Sequence, residues 1–272
     1  MIKTIEDIKR DGWESGINHI WQGDCLEYMK LLPNKCVDLV VTSPPYDDLR
    51  NYDGYSFDFE SIANELFRIL VNGGIIVWIV ADSTKDGTES GTSFKQALYF
   101  KKLGLNLHDT MIYQKINYIP LTHKRYEQEF EYMFILSKGG PKTFNPLLKK
   151  NKLGGKKYNP NRPRDYDGNA IRHNRSEELT FKEYGQKGNI FGYVVGAGNE
   201  KTNHPATFPE QLAADHIMSW SNKGDLVLDP MNGSGTTTKM AKQLGRKFIG
   251  IEISEKYCKI AEQRLRQEVL PL

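Results

Sequence analysis

Short apolar runs alternate with amphipathic stretches from residue 19 onward. This alternation is typical of an α/β fold with a mainly parallel sheet. Residues 110–137 contain two neighbouring apolar runs joined by a polar turn, which predicts an antiparallel pair at one edge of the sheet. The predicted strands are 19–23, 37–42, 74–80, 106–114, 129–137, 225–230 and 247–253, and the predicted helices are 25–31, 58–71, 92–103, 209–221, 235–244 and 254–268.

Residues 139–203 do not show this alternation of apolar and amphipathic segments. They are rich in Gly, Asn, Lys, Arg and Tyr and have few periodic apolar positions. Such a composition favours a loop-rich module that is only partly ordered without its partner. We therefore expect an α/β domain formed by residues 1–138 and 204–272, with the region 139–203 inserted in it.

The charge of the chain is unevenly distributed. The net charge is +3, but the segment from Lys138 to Asn203 contains fourteen Lys/Arg and six Asp/Glu residues. That segment therefore carries +8, and the rest of the chain carries −5. A basic block in an acidic body indicates a polyanionic partner, and the alternative is a solvated, flexible insertion that binds nothing.

The composition also excludes several classes of protein. The 272 residues can bury a substantial core without disulfides or metals. The three cysteines, Cys25, Cys36 and Cys258, form no paired motif, so neither a disulfide framework nor a zinc site is predicted. The sequence shows no signal-peptide core and no apolar segment of membrane-spanning length. We expect a soluble protein of the reducing cytoplasm.

The most informative motif is Thr-Ser-Pro-Pro-Tyr at positions 42–46, which follows the apolar run 37–41. Proline cannot continue a sheet ladder, so Pro44 and Pro45 end the strand and make the turn rigid. The Ser43 hydroxyl and the Pro44 carbonyl are two acceptors beside the flat ring of Tyr46. This arrangement suits a planar amine, such as the exocyclic amino group of a nucleobase.

A second motif occupies residues 225–238, where an apolar strand runs into Asp-Pro-Met-Asn-Gly-Ser-Gly-Thr-Thr-Thr. Small residues let the backbone approach a ligand, and a helix that begins at the threonines offers free amides to an anionic group. Glu252, nineteen positions after Gly233, ends the next strand and could hold a ribose diol. A dinucleotide would also fit this pattern, but Thr238 replaces the third glycine of the dinucleotide fingerprint.

Together the two motifs resemble those of DNA methyltransferases that modify exocyclic amines with S-adenosyl-L-methionine. The resemblance covers nearly all of residues 19–268 except the insertion, although Met231 stands where the family usually has phenylalanine. It implies that the catalytic residues are Ser43, Pro44, Pro45 and Tyr46. The residues that it implies for cofactor binding are Asp24, Cys25, His204, Phe208, Pro209, Asp229, Pro230, Asn232, Gly233, Ser234, Gly235, Thr236, Thr237 and Glu252. For Asp24 a simple helix cap and for His204 a turn histidine are equally good interpretations.

The order of the motifs resembles the permuted β class of this family. It implies a Rossmann-like methyltransferase fold with a mainly parallel seven-stranded sheet and an antiparallel edge hairpin. The insertion would then be the target-recognition region and bind double-stranded DNA. Its candidate contacts to phosphates or guanines are Lys156, Lys157, Arg162, Arg164, Arg172 and Arg175. A cognate restriction endonuclease is a candidate partner, and both a monomer and a homodimer are compatible with the sequence.

The expected reaction needs no metal and no covalent intermediate. Carbon-5 methylation of cytosine requires a cysteine nucleophile, typically in a Pro-Cys pair, and no proline here precedes a cysteine. Within the resembled family, serine at the first motif position is associated mostly with the cytosine 4-amino group. The sequence therefore favours cytosine-N4 methylation in a restriction-modification system over adenine-N6 methylation. An RNA or protein-amide methyltransferase and an inactive nucleic-acid-binding relative are further alternatives.

Overall fold

The computed structural model describes residues 2–45, 57–117, 125–158, 167, 179–195 and 208–266. Contacts divide the chain into two compact units, which are residues 1–145 with 189–272, and residues 146–188. No helix among the described residues is long and apolar enough to cross a membrane.

Strands account for the centre of the larger unit and for most of the regular structure of the smaller one. In chain order they are β1 (Ile2–Lys3), β2 (His19–Gln22), β3 (Val37–Thr42), β4 (Leu70–Val80), β5 (Thr84–Lys85), β6 (Thr88–Glu89), β7 (Asn106–Lys115), β8 (Phe130–Ser137), β9 (Leu148–Lys150), β10 (Lys157–Tyr158), β11 (Leu179–Thr180), β12 (Tyr184–Gln186), β13 (Ile190–Tyr193), β14 (Leu226–Asp229) and β15 (Lys247–Glu252).

Nine of these strands form one sheet in the order β1-β2-β15-β14-β3-β4-β8-β7-β13. The six strands from β1 to β4 in that order are mutually parallel. Strand β8 runs antiparallel to both β4 and β7, and β13 is parallel to β7. The carboxyl ends of the parallel strands therefore share one edge of the sheet, which is where α/β proteins bind their ligands.

Seven α-helices and one 3₁₀ helix (Trp13–Gly16) connect the described strands. The α-helices are α1 (Ile5–Asp11), α2 (Cys25–Met29), α3 (Phe59–Ile69), α4 (Thr92–Lys102), α5 (Glu210–Trp220), α6 (Thr236–Gln243) and α7 (Glu255–Arg266). Helices α2, α3 and α4 pack in one group, and α5, α6 and α7 pack in another. Helix α7 also packs against β1 and β2, so the first strand and the last described helix are neighbours.

The central strands are buried on both faces, as the continuous apolar runs predict. Along β4 the side chains of Ile76, Trp78 and Val80 join the core under α2–α4, whereas the alternate residues point to the opposite face. Trp78 contacts the ring of Phe100 with a centroid separation of 5.2 Å, and its indole N–H donates to Gln96 Oε1 at 2.8 Å. The buried indole is thus both packed and hydrogen-bonded.

The structure confirms the α/β class and contains all seven predicted strands and all six predicted helices. The predicted count of seven strands is wrong, because β1 and β13 add one strand to each edge of the described sheet. Strand β1 has only two residues, and β13 lies within the region 139–203 that was predicted to be an insertion, so the pairing within the sheet reveals both. The antiparallel pair β7 and β8 is present, but β13 covers its outer side.

The smaller unit contains two short antiparallel ribbons, one formed by β9 with β12 and the other by β10 with β11. It is narrower than the predicted insertion 139–203. Residues 190–193 pair with β7, and the Asn145 amide donates to the Ser219 carbonyl at 2.8 Å, which places both segments with the larger unit. Its role in target recognition stays a prediction.

Candidate active site

The two sequence motifs meet at the carboxyl edge of the sheet. Strands β3 and β14 are parallel neighbours, with Leu228 opposite Val40. At the ends of these strands the Thr42 hydroxyl donates to Asp229 Oδ1 at 2.7 Å, and both side chains are buried. The Thr237 hydroxyl of α6 donates to the Val41 carbonyl at 3.0 Å. Residues nearly 190 positions apart in sequence therefore form one continuous site.

Ser43 and Pro44 follow Thr42 directly, where β3 ends as the prolines predict. Pro44 is buried, whereas Ser43 and Pro45 are half-buried, so this turn lies at the rim of the site. Tyr46, the fourth predicted catalytic residue, lies outside the described residues. The Ser43 hydroxyl and the Pro44 carbonyl thus come from a segment that is anchored to the second motif one residue earlier.

Asp229 is held in an environment that disfavours its charge. Burial raises its pKa to about 6, although hydrogen bonds from Thr42 and the Met231 amide act to lower it. An unfolded aspartate has a pKa of about 4. Between these two values the folded protein retains a proton that the unfolded chain has released. This carboxyl therefore makes stability fall as the pH rises from about 4 to about 6.

We expect Asp229→Asn to remove this pH dependence, because the amide oxygen can still accept from Thr42 and nothing titrates. The stability of the variant relative to wild type should increase by about 3 kcal/mol between pH 4 and pH 6 and stay level above that range. Urea unfolding of both proteins at several pH values measures the difference. Parallel stability curves would mean that Asp229 does not titrate in this range.

The loop after β14 turns back sharply before α6. Gly233 and Gly235 have φ angles of 50° and 84°, a left-handed conformation that glycine adopts without strain. The Gly235 amide donates to the Asn232 carbonyl at 2.8 Å, and the Asn232 amide donates to the Ile251 carbonyl at 2.9 Å. Gly235 has no side chain with which to cap α6, so the first turn of this helix presents its amides toward a ligand.

Glu252 ends β15 beside this loop, as predicted. Its carboxylate accepts from the Gly233 amide at 2.7 Å and from the Ser254 amide at 2.8 Å. Burial raises the pKa of Glu252, while these amides act to lower it. The residue therefore shapes the glycine loop in addition to the ribose-binding role that the sequence predicts for it.

Asp24 and Cys25 lie next to Glu252, because the Gly23 amide donates to the Glu252 carbonyl at 2.9 Å. Asp24 caps α2 and accepts from the amides of Leu26 and Glu27 at 2.8 and 3.1 Å. The helix-cap interpretation is thus confirmed, and cofactor binding by Asp24 stays a prediction. Burial raises the pKa of the Cys25 thiol to about 12, so it is neutral and unsuited to act as a nucleophile.

The remaining predicted cofactor residues are placed as follows. Pro209 is buried and immediately precedes α5, and Phe208 beside it is half-buried. His204 lies outside the described residues, as do Arg162, Arg164, Arg172 and Arg175 of the predicted DNA-binding set. Pro230, Ser234, Thr236 and Thr237 are all buried around the glycine loop.

The donors around the loop fit S-adenosyl-L-methionine. Asn232 is 4 % exposed, and its Nδ2 has no hydrogen-bond partner among the described residues. A buried amide without a partner is rare and indicates a missing acceptor. Gly250 lies on the adjoining strand β15, and a Cβ atom at this position would lie 2.6 Å from Asn232 Cγ. The Asn232 side chain therefore fits only because residue 250 is glycine. Amide donors at the helix start suit a carboxylate, and the acid at the end of β15 suits a diol.

Sequence reasoning missed a buried charged cluster behind the loop. Arg264 of α7 donates to the Ser234 carbonyl at 2.7 Å and to Glu210 Oε1 at 2.6 Å. Lys239 donates to the same oxygen of Glu210 at 2.9 Å. The available signal was the helical pattern of α7, in which Arg264 shares the buried face with Cys258, Ala261 and Leu265. A basic residue on such a face needs an acidic partner.

With this geometry established, comparisons with known proteins identify the family. Residues 37–263 match the N6/N4 methyltransferase family model, described as DNA methylase. The chain is 54 % identical over 243 residues to the orphan methyltransferase M.BamHII of Bacillus amyloliquefaciens. The aligned region covers 86 % of this chain and 90 % of that protein. The chain therefore belongs to the DNA methylase family of S-adenosyl-L-methionine-dependent amino-methyltransferases, and it acts on DNA.

Solved structures share the fold. The cytosine-N4-specific PvuII DNA methyltransferase superposes with a TM-score of 0.68 at 19 % identity, covering 93 % of this chain and 87 % of that one. TTHA0409 of Thermus thermophilus, complexed with S-adenosyl-L-methionine, superposes with a TM-score of 0.60 at 25 % identity, covering 91 % and 94 %. These matches confirm the predicted fold class and cofactor.

Proposed function

We propose that the protein transfers a methyl group from S-adenosyl-L-methionine to the exocyclic 4-amino group of cytosine in duplex DNA. The observation that carries this proposal is the hydrogen bond from Thr42 to Asp229, which joins the Ser-Pro-Pro turn to the glycine loop. A hydrogen-bonding clamp for an amine and a binding site for a methyl donor are then parts of one centre.

In this proposal Ser43 and Pro44 activate the amine. The nitrogen of an exocyclic amino group is a poor nucleophile because its lone pair is delocalised into the ring. The Ser43 hydroxyl and the Pro44 carbonyl accept hydrogen bonds from the two amine protons and favour a tetrahedral nitrogen, whose lone pair is available. Bound S-adenosyl-L-methionine supplies the methyl group. Positioning and electrostatics then provide most of the rate acceleration.

The target base must leave the DNA stack to reach this turn, because its amine is inaccessible inside a duplex. Flipping costs about a few kcal/mol. Stacking on an aromatic ring recovers about 1–3 kcal/mol per base. Tyr46 is the residue that we propose for this stacking.

Serine at position 43 supports cytosine as the target, because serine at the first motif position is associated mostly with the cytosine 4-amino group in this family. The family model covers both N6 and N4 amines, so adenine is the second candidate. The proposed centre would serve either base, since both present an amine with two protons.

The smaller unit carries an excess of exposed basic residues, which supports a role in DNA binding. The described part of residues 146–188 contains seven exposed lysines against two acidic residues, Asp167 and Glu183. Phosphate contacts by lysine provide affinity and salt dependence. We propose that this unit recognises the target. The lysines are Lys149, Lys150, Lys152, Lys156, Lys157, Lys182 and Lys187.

Replacing Lys156 and Lys157 together by glutamine tests this surface. We expect weaker binding to all duplexes and a salt dependence reduced by about two phosphate contacts, since each lysine neutralises one phosphate. The matched control is Lys101→Gln with Lys102→Gln, an exposed pair of adjacent lysines at the carboxyl end of α4 in the larger unit. We expect the dependence of DNA affinity on salt concentration to differ between the two double variants. If both gave the same salt dependence, Lys156 and Lys157 would not contact DNA.

Nucleoside analysis tests the proposed reaction. The protein is incubated with labelled S-adenosyl-L-methionine and mixed-sequence DNA, RNA and protein, and each product is digested and chromatographed. We expect label in 4-methylcytosine from DNA. Label in 6-methyladenine would establish the second candidate, and label confined to RNA or protein would overturn the proposal. Absence of label, with the cofactor bound, would indicate the inactive relative.

We also propose that the protein is a site-specific methyltransferase of the restriction-modification type, which is the context that the motifs favour. The relative that is 54 % identical is named an orphan methyltransferase, so this proposal concerns site-specific methylation and not the presence of a partner nuclease. Mapping methylated sites in host DNA tests it. A fully modified short sequence is expected, whereas scattered modification would contradict a site-specific role.

A further inference from the structure

The guanidinium of Arg264 hydrogen-bonds to the glycine loop, to the start of α6 and to the start of α5. Arg264, on α7, donates through Nη1 to the Ser234 carbonyl at 2.7 Å and to the hydroxyls of Ser234 and Thr236 at 3.2 and 3.3 Å. Through Nη2 it donates to Glu210 at the start of α5. Its side chain is 3 % exposed, so these contacts are made away from water.

The glycine loop packs tightly against α7 beside Arg264. Gly235 has a φ of 84°, and a Cβ atom added to it would lie only 2.8 Å from the Cβ atom of Ala261. Ala261 and Arg264 are three positions apart and lie on the same helix face. Helix α7 thus contacts two consecutive residues of the loop, Gly235 by steric fit and Ser234 by hydrogen bonding.

These contacts determine which way the loop faces. Because a peptide unit is planar, the bond to the Ser234 carbonyl fixes the orientation of the whole Ser234–Gly235 peptide. The planar fork of arginine can hold Ser234 and Glu210 at the same time, which a lysine ammonium on a flexible stem does less well. Glu210 follows Pro209, so the segment that contains the predicted cofactor-binding residues Phe208 and Pro209 is tied to the same guanidinium.

We propose that Arg264 is a positioning residue for the cofactor. It does not touch the reacting atoms but holds the glycine loop and the start of α5 in the arrangement that binds S-adenosyl-L-methionine. This inference rests on the function proposed above and assigns to the last described helix a role in cofactor affinity. The carboxylate of Glu210 supplies the negative charge opposite the buried guanidinium, and Lys239 pairs with the same carboxylate.

The test compares Arg264→Lys and Arg264→Met with Arg266→Met, measuring cofactor affinity by calorimetry and loop order by hydrogen exchange. Arg266 lies on the same helix, is 68 % exposed and pairs with Glu262, so it controls for the loss of a helical arginine. We expect Arg264→Lys to weaken cofactor binding about tenfold, the effect of one lost charged hydrogen bond. Exchange at residues 233–238 should quicken, while DNA affinity and kcat at saturating cofactor stay at wild-type values. Arg266→Met should change none of these.

The outcomes separate a positioning role from simple stabilisation. If the folded fraction of Arg264→Lys binds cofactor with wild-type affinity, even at a lower melting temperature, the inference is overturned. The same holds if cofactor and DNA affinities fall in proportion. Because Arg264→Met could unfold the protein, the lysine variant, which retains the charge, decides the question. Wild-type protein that binds cofactor but methylates no nucleic acid would overturn the proposed function and leave the affinity comparison intact.

Discussion

A Ser43→Ala variant is expected to lose roughly 100-fold or more in turnover, comparable to removing one catalytic hydrogen-bonding group in other enzymes. Ser43 supplies one of the two acceptors proposed to grip the target amine. Its removal leaves one amine proton without a partner in the transition state. The hydrogen bond from Thr42 to Asp229, which this substitution leaves in place, anchors the cofactor loop, so we expect cofactor affinity to be unchanged. Single-turnover rates and calorimetric titration with S-adenosylhomocysteine measure the two quantities separately.

The control for this experiment is Ser15→Ala. Ser15 is a half-buried serine whose hydroxyl donates to the Gly12 carbonyl at 2.7 Å, in the 3₁₀ turn that precedes β2. It should reduce neither turnover nor cofactor affinity. If Ser43→Ala lowered turnover and cofactor affinity equally, Ser43 would be a structural residue of the turn and the proposed activation of the amine would be wrong.

A Gly235→Ala variant is expected to lose about 3 kcal/mol of stability and much of its cofactor affinity. A left-handed conformation costs a non-glycine residue about 1–2 kcal/mol. Overpacking against a fixed neighbour adds about 1–3 kcal/mol. The new Cβ would meet the Cβ and Cα atoms of Ala261 at 2.8 and 3.1 Å, so either α7 or the loop must move. Urea unfolding and cofactor titration measure the two effects.

Gly224 provides a matched control, because its φ of 86° is nearly the same and an added Cβ would meet nothing within 4 Å. Gly224→Ala should therefore cost only the conformational part, about 1 kcal/mol. Adding Ala261→Gly to Gly235→Ala should restore part of the lost stability. Equal losses in the two single variants would show that the contact between the loop and α7 is not tight.

Most of the fold could be predicted because the central strands are buried on both faces and their connections follow a helical period. The pattern failed where an element is held mainly by its neighbours. Strand β13 is an example, since Ile190 and Gly192 are exposed, whereas Phe191 and Tyr193 are buried among parts of the chain that are distant in sequence. Local sequence carries no signal for such contacts.

Only part of the candidate site could be predicted from the sequence. The Ser-Pro-Pro turn and the glycine loop were predictable, because prolines and glycines impose their conformations locally. The contact that joins them was not, since the Thr42–Asp229 pairing follows from which strands are neighbours in the sheet. The contacts of Arg264 with Glu210 and the loop likewise depend on how three separate helices pack.

In the proposed reaction one centre holds both the target amine and the methyl donor. A crystal structure of the protein with S-adenosylhomocysteine and a duplex containing its mapped methylation site would show whether it does. We expect a flipped-out cytosine whose amine nitrogen lies about 3 Å from both Ser43 Oγ and the Pro44 carbonyl oxygen, with the cofactor against residues 229–237. A target base held by other residues, or a cofactor bound away from that loop, would show that the proposed centre is wrong.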